Sequence, residues 1–322
     1  MPSLKEIKTR IASVNSTRKI TSAMKMVASS KLHHAQVMIE NMLPYENMLE
    51  RIFKTFLASE ADAQTVFSVV RPVKRVALLV YASNSSLCGG FNANVIKKMT
   101  AVVKEYEHLG EGNVVIYPIG RKVAEKVRKM GLPVGGEFID LADKPNVSDC
   151  IAIARELAQK FMDGELDRVE MIYHHFRSAG SQVLQRKTFL PFDAHADIDA
   201  DNDRDLTHKL ATAASQQYLK ENAGEDEVKA KENVRPLNDN FIVEPDMNTV
   251  LGKLIPRLLH LMVYTALLDS NASEHAARMV AMQTATDNAD ELLRDLNLQF
   301  NKSRQQAITN ELLDIVGGSS NN

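Results

Sequence analysis

The chain has 322 residues, of which 44% are hydrophobic and 25% are charged, and its formal net charge is -2 at pH 7. This composition excludes a disordered or collagen-like chain and is typical of a folded protein rich in helix. Two cysteines are too few for a disulfide framework, and the start MPSLKEIKTR has no apolar stretch of a secretory signal. We therefore expect a reducing, cytoplasmic-type compartment.

The first predicted element is a long N-terminal helix over residues 1–60. Apolar residues recur at alternating spacings of three and four, as in a helical seam, first at Leu4, Ile7, Ile11 and Val14 and again at Leu49, Ile52 and Phe56. At 1.5 Å per residue such a helix is on the order of 80 Å long. Its first half is basic, and charge alone fits nucleic acid, a membrane surface or an acidic protein equally well.

Residues 73–192 alternate between strand and helix patterns. The strand KRVALLVYAS precedes a helix, NVVIYPIG precedes a second, and GGEFIDL precedes a third. The segments DRVEMIYHHFRS and SQVLQRKTFLPF resemble a closing hairpin. Such alternation predicts a Rossmann-like α/β domain with a mostly parallel sheet.

The last third of the chain contains an insertion and a second long helix. Residues 193–246 are rich in aspartate and polar residues, and we interpret them as a solvated insertion. Helical periodicity returns over residues 247–322. Since neither long helix can bury its seam against a small domain along its whole length, we predict that the two pair as an antiparallel coiled coil.

The apolar stretch at residues 250–268 has nearly the length of a membrane span. It contains Lys253, Arg257 and His260 together with Pro256. Each charge at mid-membrane costs roughly 2.5 to 3.5 kcal/mol on insertion scales, so we reject a transmembrane helix here.

The loop SNSSLCGG follows a strand and opens a helix, where backbone amides can hold phosphate. A phosphate-binding loop needs Lys and then Ser or Thr after its last glycine, whereas Phe91 and Asn92 stand there. Cys88 is a candidate reactive thiol, although a small buried residue is the simpler interpretation. We expect no nucleotide or other cofactor site in this loop.

Metal binding is also not expected. A calcium loop starting at Asp197 would need Gly at its sixth position and Glu at its twelfth, where Asn202 and His208 stand. The histidine pairs 33–34 and 174–175 are adjacent in sequence, so their side chains point in different directions. We expect ordinary surface or half-buried histidines.

Three segments together resemble the gamma subunit of bacterial F-type ATP synthases: IKTRIASVNSTRKITSAMKMVASSKL, SLCGGFNANV and ASEHAARMVAMQTATDNADELLRDLNLQFNKSRQQAITNELLDIVGG. The resemblance implies a coiled coil that pierces a ring of alternating alpha and beta subunits. It also implies an α/β domain that sits, with the epsilon subunit, on a membrane rotor ring of c subunits. The implied protein is non-catalytic, transmits torque between proton flow and ATP synthesis, and lies peripherally on the cytoplasmic side of the cell membrane.

The resemblance also implies contact residues. Arg304, Gln305 and Thr309 match positions that hydrogen-bond a catch loop of beta, and Met24 and Lys25 match positions that face an acidic lever of beta. The remaining matches are a greasy bearing tip at Leu312, Ile315 and Val316, and a foot near the rotor ring at Glu244. A solvated helix face or simple seam packing would account for the same residues.

Two features depart from the family pattern. Asn84, Ser85 and Ser86 replace the usual Asp-Arg-Gly, which removes an arginine from that loop. The insertion resembles the regulatory segment of the chloroplast subunit but has no cysteine, so we predict no redox control through it.

Other classes of function stay open at this point. A nucleotide-using α/β enzyme would bind ATP or NAD saturably as the isolated chain. A basic nucleic-acid binder would show a salt-sensitive mobility shift with DNA, and a passive coiled-coil scaffold would show neither.

Overall fold

The computed structural model describes residues 3–59, 67–110, 112–192, 244 and 246–319, so most of the predicted insertion lies outside it. Two long helices, α1 (Leu4–Ser59) and α6 (Met247–Ser319), flank the sheet in sequence. Between them lie β1 (Val76–Tyr81), α2 (Phe91–Glu105), a 3-10 turn (Glu107–Leu109), β2 (Val114–Ile119), α3 (Arg121–Lys129), α4 (Ile139–Asp143), α5 (Val147–Met162), β3 (Arg168–Ser178) and β4 (Ser181–Leu190).

Both long helices begin with side-chain caps. Ser3 and Glu6 form a reciprocal capping box, in which each backbone N–H donates to the other side chain. Asp246 accepts a hydrogen bond from the backbone N–H of Thr249 at 2.8 Å. These caps fix the start of each helix because they satisfy N–H groups that have no partner within the helix.

The described sheet has the strand order β2-β1-β3-β4. Strand β1 runs parallel to β2 and β3, while β3 and β4 form the predicted antiparallel hairpin. Every residue of β1 is buried, as expected for a parallel strand covered on both faces. Helices α2 and α3 cover one face, and α1, α5 and α6 cover the other. The prediction of a mostly parallel α/β sheet is confirmed.

The prediction of a strand at GGEFIDL is wrong. Val134, directly before this segment, and Phe138 within it each make an isolated parallel bridge to β2, and the chain then turns into α4. Between the bridges the chain bends at Gly135, which crosses the ring of Tyr117 so closely that a Cβ would lie 2.2 Å from a ring carbon. The bend interrupts the ladder before a strand can form.

The two long helices pair in opposite directions. The hydroxyl oxygens of Thr21 in α1 and Thr286 in α6 lie 2.8 Å apart, and Arg18 Nη1 donates to Asp290 Oδ1 at 2.9 Å. Arg18 precedes Thr21 by one turn, whereas Asp290 follows Thr286 by one turn. The helices therefore form the predicted antiparallel pair.

Burial along both helices follows an uninterrupted seven-residue repeat. Buried or half-buried positions of α1 form two rows: Leu4, Ile11, Arg18, Lys25, Leu32, Ile39 and Glu46, and Ile7, Val14, Thr21, Ala28, Ala35, Met42 and Leu49. The matching rows of α6 are Met279, Thr286, Leu293 and Phe300, and Met282, Ala289, Leu296 and Ser303. Such a repeat gives a left-handed coiled coil, because the seam must follow a partner at 3.5 residues per turn.

Helix α6 is buried around its whole circumference where it crosses the sheet. Every residue from 262 to 274 is buried. Within the described chain, the stretch Thr249–Leu313 is long and apolar enough by length and composition to cross a membrane, and 56% of its apolar window is buried inside the protein. Packing against the sheet, α1 and α5 accounts for these apolar side chains.

The two histidines of β3 are more buried than expected. His174 and His175 are 3% and 0% exposed and point to opposite faces of the sheet. His174 stacks on Phe91 of α2 with ring centroids 4.4 Å apart, and burial lowers its pKa to about 4. His175 Nδ1 lies 2.7 Å from Asp269 Oδ2 of α6. The expectation of surface or half-buried histidines is wrong for this pair, because each ring has a partner inside, whereas His33 and His34 are exposed as expected.

Candidate functional site

The end of α6 projects beyond the coiled coil. Ser303 is the last half-buried seam position of α6, and α1 begins at Leu4, which lies opposite this region in the antiparallel register. Every residue from 304 to 313 is exposed. Among the described residues, this stretch of α6 therefore stands as a single helix with all of its faces open to a partner.

The structure places the three predicted catch residues at the start of this projecting stretch. Arg304, Gln305 and Thr309 are exposed, and Thr309 Oγ1 donates to the backbone carbonyl of Gln305 at 2.9 Å. Gln305, Ile308, Thr309 and Leu312 share one face, since they lie three, four and seven residues apart. The tip thus combines hydrogen-bonding groups with an apolar stripe.

The predicted bearing tip is described in part. Leu312 is 57% exposed, as is its neighbour Leu313 at 63%. Ile315 and Val316 lie on the last turns of α6, and their side chains fall outside the described part of the chain. An exposed leucine pair on a lone helix is the kind of apolar surface that a partner covers.

Met24 and Lys25 lie on α1, far from the tip. Both are half-buried, and Lys25 occupies a seam position one heptad after Arg18. Sequence reasoning missed two better-exposed neighbours, Ile20 at 59% and Val27 at 58%. With Met24 they form an apolar stripe at spacings of four and three. The sequence signal that could have identified them is that both are apolar although they lie outside the seven-residue seam repeat.

Glu244 lies at the opposite end of the molecule from Arg304. It is exposed and precedes α6, which begins at Met247. At 1.5 Å per residue, the stretch of α6 from Met247 to Arg304 spans roughly 85 Å. The predicted contact residues therefore form separate surfaces, at the foot, on the side of α1 and at the tip, and not one cluster.

The loop after β1 is held by side chains. Asn84 Nδ2 donates to Asp143 Oδ2 at 2.6 Å, and the backbone N–H of Arg121 donates to Asn84 Oδ1 at 2.8 Å. From α6, Arg278 Nη2 donates to Ser85 Oγ at 2.7 Å. An arginine thus reaches this loop from α6, although the loop itself carries none.

The described residues contain no group of three or more His, Cys, Asp or Glu side chains placed to hold a metal ion. A cavity of about 10 Å³ lies at the carboxyl end of β1, against Asn271 and Glu274 of α6. This volume holds about one water molecule. Burial raises the pKa of the Glu274 carboxyl, and the neighbouring Arg278 opposes the shift.

Thiol chemistry is unfavourable at the second cysteine. Burial, and less strongly the charge of Asp149, raise the pKa of Cys150 to about 12. Cys88 is also buried, and Asn92 Nδ2 lies 3.2 Å from its sulfur. The thiol of Cys88 thus packs inside the loop, in agreement with the simpler interpretation of this residue.

A model of the protein family described as ATP synthase matches residues 3–321. The chain is 52% identical over 319 residues to an ATP synthase gamma chain of Phocaeicola vulgatus, and 42% identical over 320 residues to one of Parabacteroides distasonis, with 99% of each chain covered.

Solved structures agree in fold. The F1 and c-ring part of the Euglena gracilis mitochondrial ATP synthase contains a chain with a TM-score of 0.59 and 19% identity, and the match covers 98% of this chain and 93% of that one. The central stalk of the Tetrahymena thermophila enzyme gives 0.55 and 23%, covering 83% of this chain and 99% of that one. The chain belongs to the ATP synthase gamma chain family.

Proposed function

We propose that this chain is the central rotating shaft of an F-type ATP synthase. In this role it turns with the c-subunit rotor ring, carries the epsilon subunit, and drives the alpha and beta subunits through their catalytic states. The chain itself is non-catalytic. The observation that carries the proposal is the continuity of α6, which runs for 73 residues from the sheet to a tip that projects beyond α1.

A shaft must be fixed at its base, and α6 is held there by buried polar contacts. Asp269 accepts from His175 and from the backbone N–H of Phe176. Ser273 Oγ donates to the carbonyl of His174, and Asn271 Nδ2 donates to the carbonyl of Ala142. Such contacts resist rotation of the helix within the α/β unit, because turning it would leave several buried groups unpaired.

The tip supplies contacts for the beta subunits that surround the rotating shaft. Arg304 has a planar fork that pairs bidentately with a carboxylate, and Gln305 and Thr309 add hydrogen-bonding groups beside it. We assign these three residues to the catch loop of beta. The shaft changes catalysis because it contacts each beta state differently, which is what shifts a conformational equilibrium.

The remaining surfaces take the other contacts. Met24 and Lys25, with the exposed stripe around them, face the acidic lever of beta. Glu244 lies at the foot, beside the rotor ring. Leu312, together with Ile315 and Val316, forms the tip that turns in an apolar sleeve of the alpha and beta ring. With its foot on the ring, the chain lies peripherally on the cytoplasmic side of the cell membrane.

Co-expression with the alpha and beta subunits of the same organism tests the proposal. A complex with one copy of this chain per three of each partner, and ATPase activity that depends on it, is the expected result. A free monomer that leaves the alpha and beta subunits inactive would contradict the shaft assignment.

The catch assignment needs a separate variant. R304A/Q305A should lower coupled ATP synthesis by roughly tenfold or more while assembly is unchanged, since loss of a charge-assisted hydrogen bond costs about 1.5–3 kcal/mol. Lys302→Ala is the matched control, because Lys302 is an exposed cation within one turn of Arg304. Unchanged synthesis by the fully assembled double variant would exclude the catch role.

A further inference from the structure

The seam of the coiled coil becomes polar directly above the α/β unit. Arg278 of α6 donates to Ser85 of the loop after β1, and in the same loop Gly89 lies next to α6, where an added Cβ would be 4.0 Å from Cβ of Ala281. Thr286 and Asp290 follow Ala281 by five and nine residues, which places them roughly 8 and 14 Å farther along the helix axis. The polar layer is thus at the base of the projecting part, where the two helices leave the support of the sheet.

Three successive seam positions of α1 are polar in this layer: Arg18, Thr21 and Lys25. The seam on either side is apolar, with Val14 before the layer and Ala28 after it. A polar group in a coiled-coil seam lowers stability relative to an apolar one and specifies register in return. The ion pair of Arg18 and Asp290 is 39% exposed at both side chains, and an exposed pair of this kind contributes little to stability.

The spacing of the layer shows why it contains two kinds of contact. Lys25 lies one heptad after Arg18, so an ion pair alone would also accept a register in which Asp290 faces Lys25. In that slipped register Thr286 would face Ala28, and Thr21 would face Leu293. Each hydroxyl also has a backbone carbonyl of its own helix within reach, that of Arg18 at 3.0 Å and that of Met282 at 2.8 Å. The slip therefore costs the one hydrogen bond between the threonines, and the threonine pair disfavours the register that the charges would tolerate.

We propose that Arg18, Thr21, Thr286 and Asp290 are positioning residues that hold the two helices of the shaft in one register. This inference rests on the proposed function. Arg304 lies 14 residues beyond Asp290, roughly 21 Å along the axis, and a slip of one heptad would move the tip by roughly 10 Å relative to α1. A fixed register therefore keeps the tip residues and the α1 stripe at a constant offset from each other.

Cysteine crosslinking of the full chain tests the register without any partner subunit. The antiparallel register places Val14 opposite Leu293, so V14C/L293C reports the observed register and V14C/F300C reports the slipped one. The native cysteines are buried. When Arg18, Thr21, Thr286 and Asp290 are unchanged, we expect the crosslink of V14C/L293C to form. R18D should raise the second crosslink roughly tenfold, because the carboxylate that it introduces repels Asp290, which then moves toward Lys25.

A second substitution that restores the register distinguishes a positioning role from a general loss of coiled-coil stability. The charge swap R18D/D290R should return the second crosslink to its wild-type level, since the two exchanged charges then attract each other and Lys25 repels the guanidinium introduced in α6. High salt should reduce the effect of R18D, because salt screens exposed charges. T21V/T286V should also raise the second crosslink. A merely structural role would lower both crosslinks, and neither the swap nor salt would reverse the change.

The complex with alpha and beta subunits provides the functional readout. R18D should lower coupled ATP synthesis several-fold, and R18D/D290R should restore it. Crosslinks that stay in the observed register in both R18D and T21V/T286V overturn the inference, and so do slipped crosslinks with unchanged synthesis. A chain that never assembles with alpha and beta contradicts the proposed function instead, and leaves the crosslink result standing.

Discussion

His175 Nδ1 lies 2.7 Å from Asp269 Oδ2, and the two side chains are only 1% and 5% exposed. The second carboxylate oxygen of Asp269 accepts from the backbone N–H of Phe176 at 3.1 Å. One carboxylate of α6 thus receives a side-chain and a backbone donor of β3. This pair connects α6 to strand β3 of the sheet.

Asp269→Ala should destabilise the chain by about 3 kcal/mol, because it removes one partner of a buried pair and leaves two buried donors unpaired. Unfolding in urea, followed by circular dichroism, measures the change in the free energy of unfolding. Asp295→Ala is the control, since Asp295 is exposed on the same helix. Equal stability of the two variants would show that the contact between Asp269 and β3 does not contribute to the stability of the chain.

His174 makes stability depend on pH. Burial lowers its pKa from 6.5 to about 4 in the folded chain, so between these values the unfolded chain binds more protons than the folded one. Above pH 6.5 His174 is neutral in both states and does not lower the free energy of unfolding. As the pH falls from 6.5 toward 4, this residue lowers the free energy of unfolding by up to about 1.4 kcal/mol per pH unit.

His174→Phe isolates this contribution. Phenylalanine keeps a ring against Phe91 and cannot take up a proton. The difference in unfolding free energy between wild type and H174F, measured at pH 7, 6 and 5, should shift in favour of the variant as the pH falls. A difference that is constant over this range would mean that His174 does not titrate abnormally.

Periodicity alone predicted the coiled coil, because its seam repeats are local in sequence and each apolar position faces the same partner. The closing hairpin was predicted for the same reason. Two predictions failed where a tertiary contact overrides the local pattern. At Gly135 the chain bends over the ring of Tyr117, and no strand forms there. His175 is buried because its ring pairs with Asp269, which is 94 residues away in sequence.

The candidate contact residues followed from family resemblance and not from physics. An exposed Arg304 on a lone helix has no local feature that distinguishes it from any solvated arginine. Ile20 and Val27 could have been found, since an apolar residue outside the seam repeat requires a reason. What such surfaces bind depends on chains that this sequence does not contain.

A buried ionic network ties the hairpin to α2. Glu170 is 1% exposed and contacts Arg168 at 2.8 Å and Arg186 at 2.7 Å, and it accepts from the Tyr106 hydroxyl at 2.7 Å. Burial, followed by the hydrogen bond to Glu170, raises the pKa of Tyr106. The single carboxylate therefore holds two arginines and a tyrosine.

Glu170→Gln should cost about 1.5–3 kcal/mol, because both arginines lose a charge-assisted contact to the buried carboxylate while their guanidinium groups stay partly exposed to water. Glu107→Gln is the matched control on the exposed turn after α2. Thermal unfolding of both variants measures the effect, and we expect a lower Tm for E170Q alone. A Tm close to that of wild type would assign the hairpin's attachment to apolar packing.

The projecting end of α6 should be the least stable part of the described helix in the isolated chain. Residues 304–313 are exposed on all sides, and a lone helix of this length is marginal in water. Hydrogen exchange followed by mass spectrometry should show amides of this stretch exchanging at least about a hundredfold faster than those of residues 268–274, which are buried against the sheet.

The Ala307→Gly variant sharpens this measurement. Glycine within a helix costs about 1 kcal/mol, so exchange at residues 304–313 should accelerate further while residues 268–274 stay unchanged. Assembly with alpha and beta subunits should slow exchange at the tip, because the proposed contacts cover it. Slow exchange of the tip in the isolated chain would mean that another part of the same chain already covers it, and the tip would then not be free to receive a beta subunit.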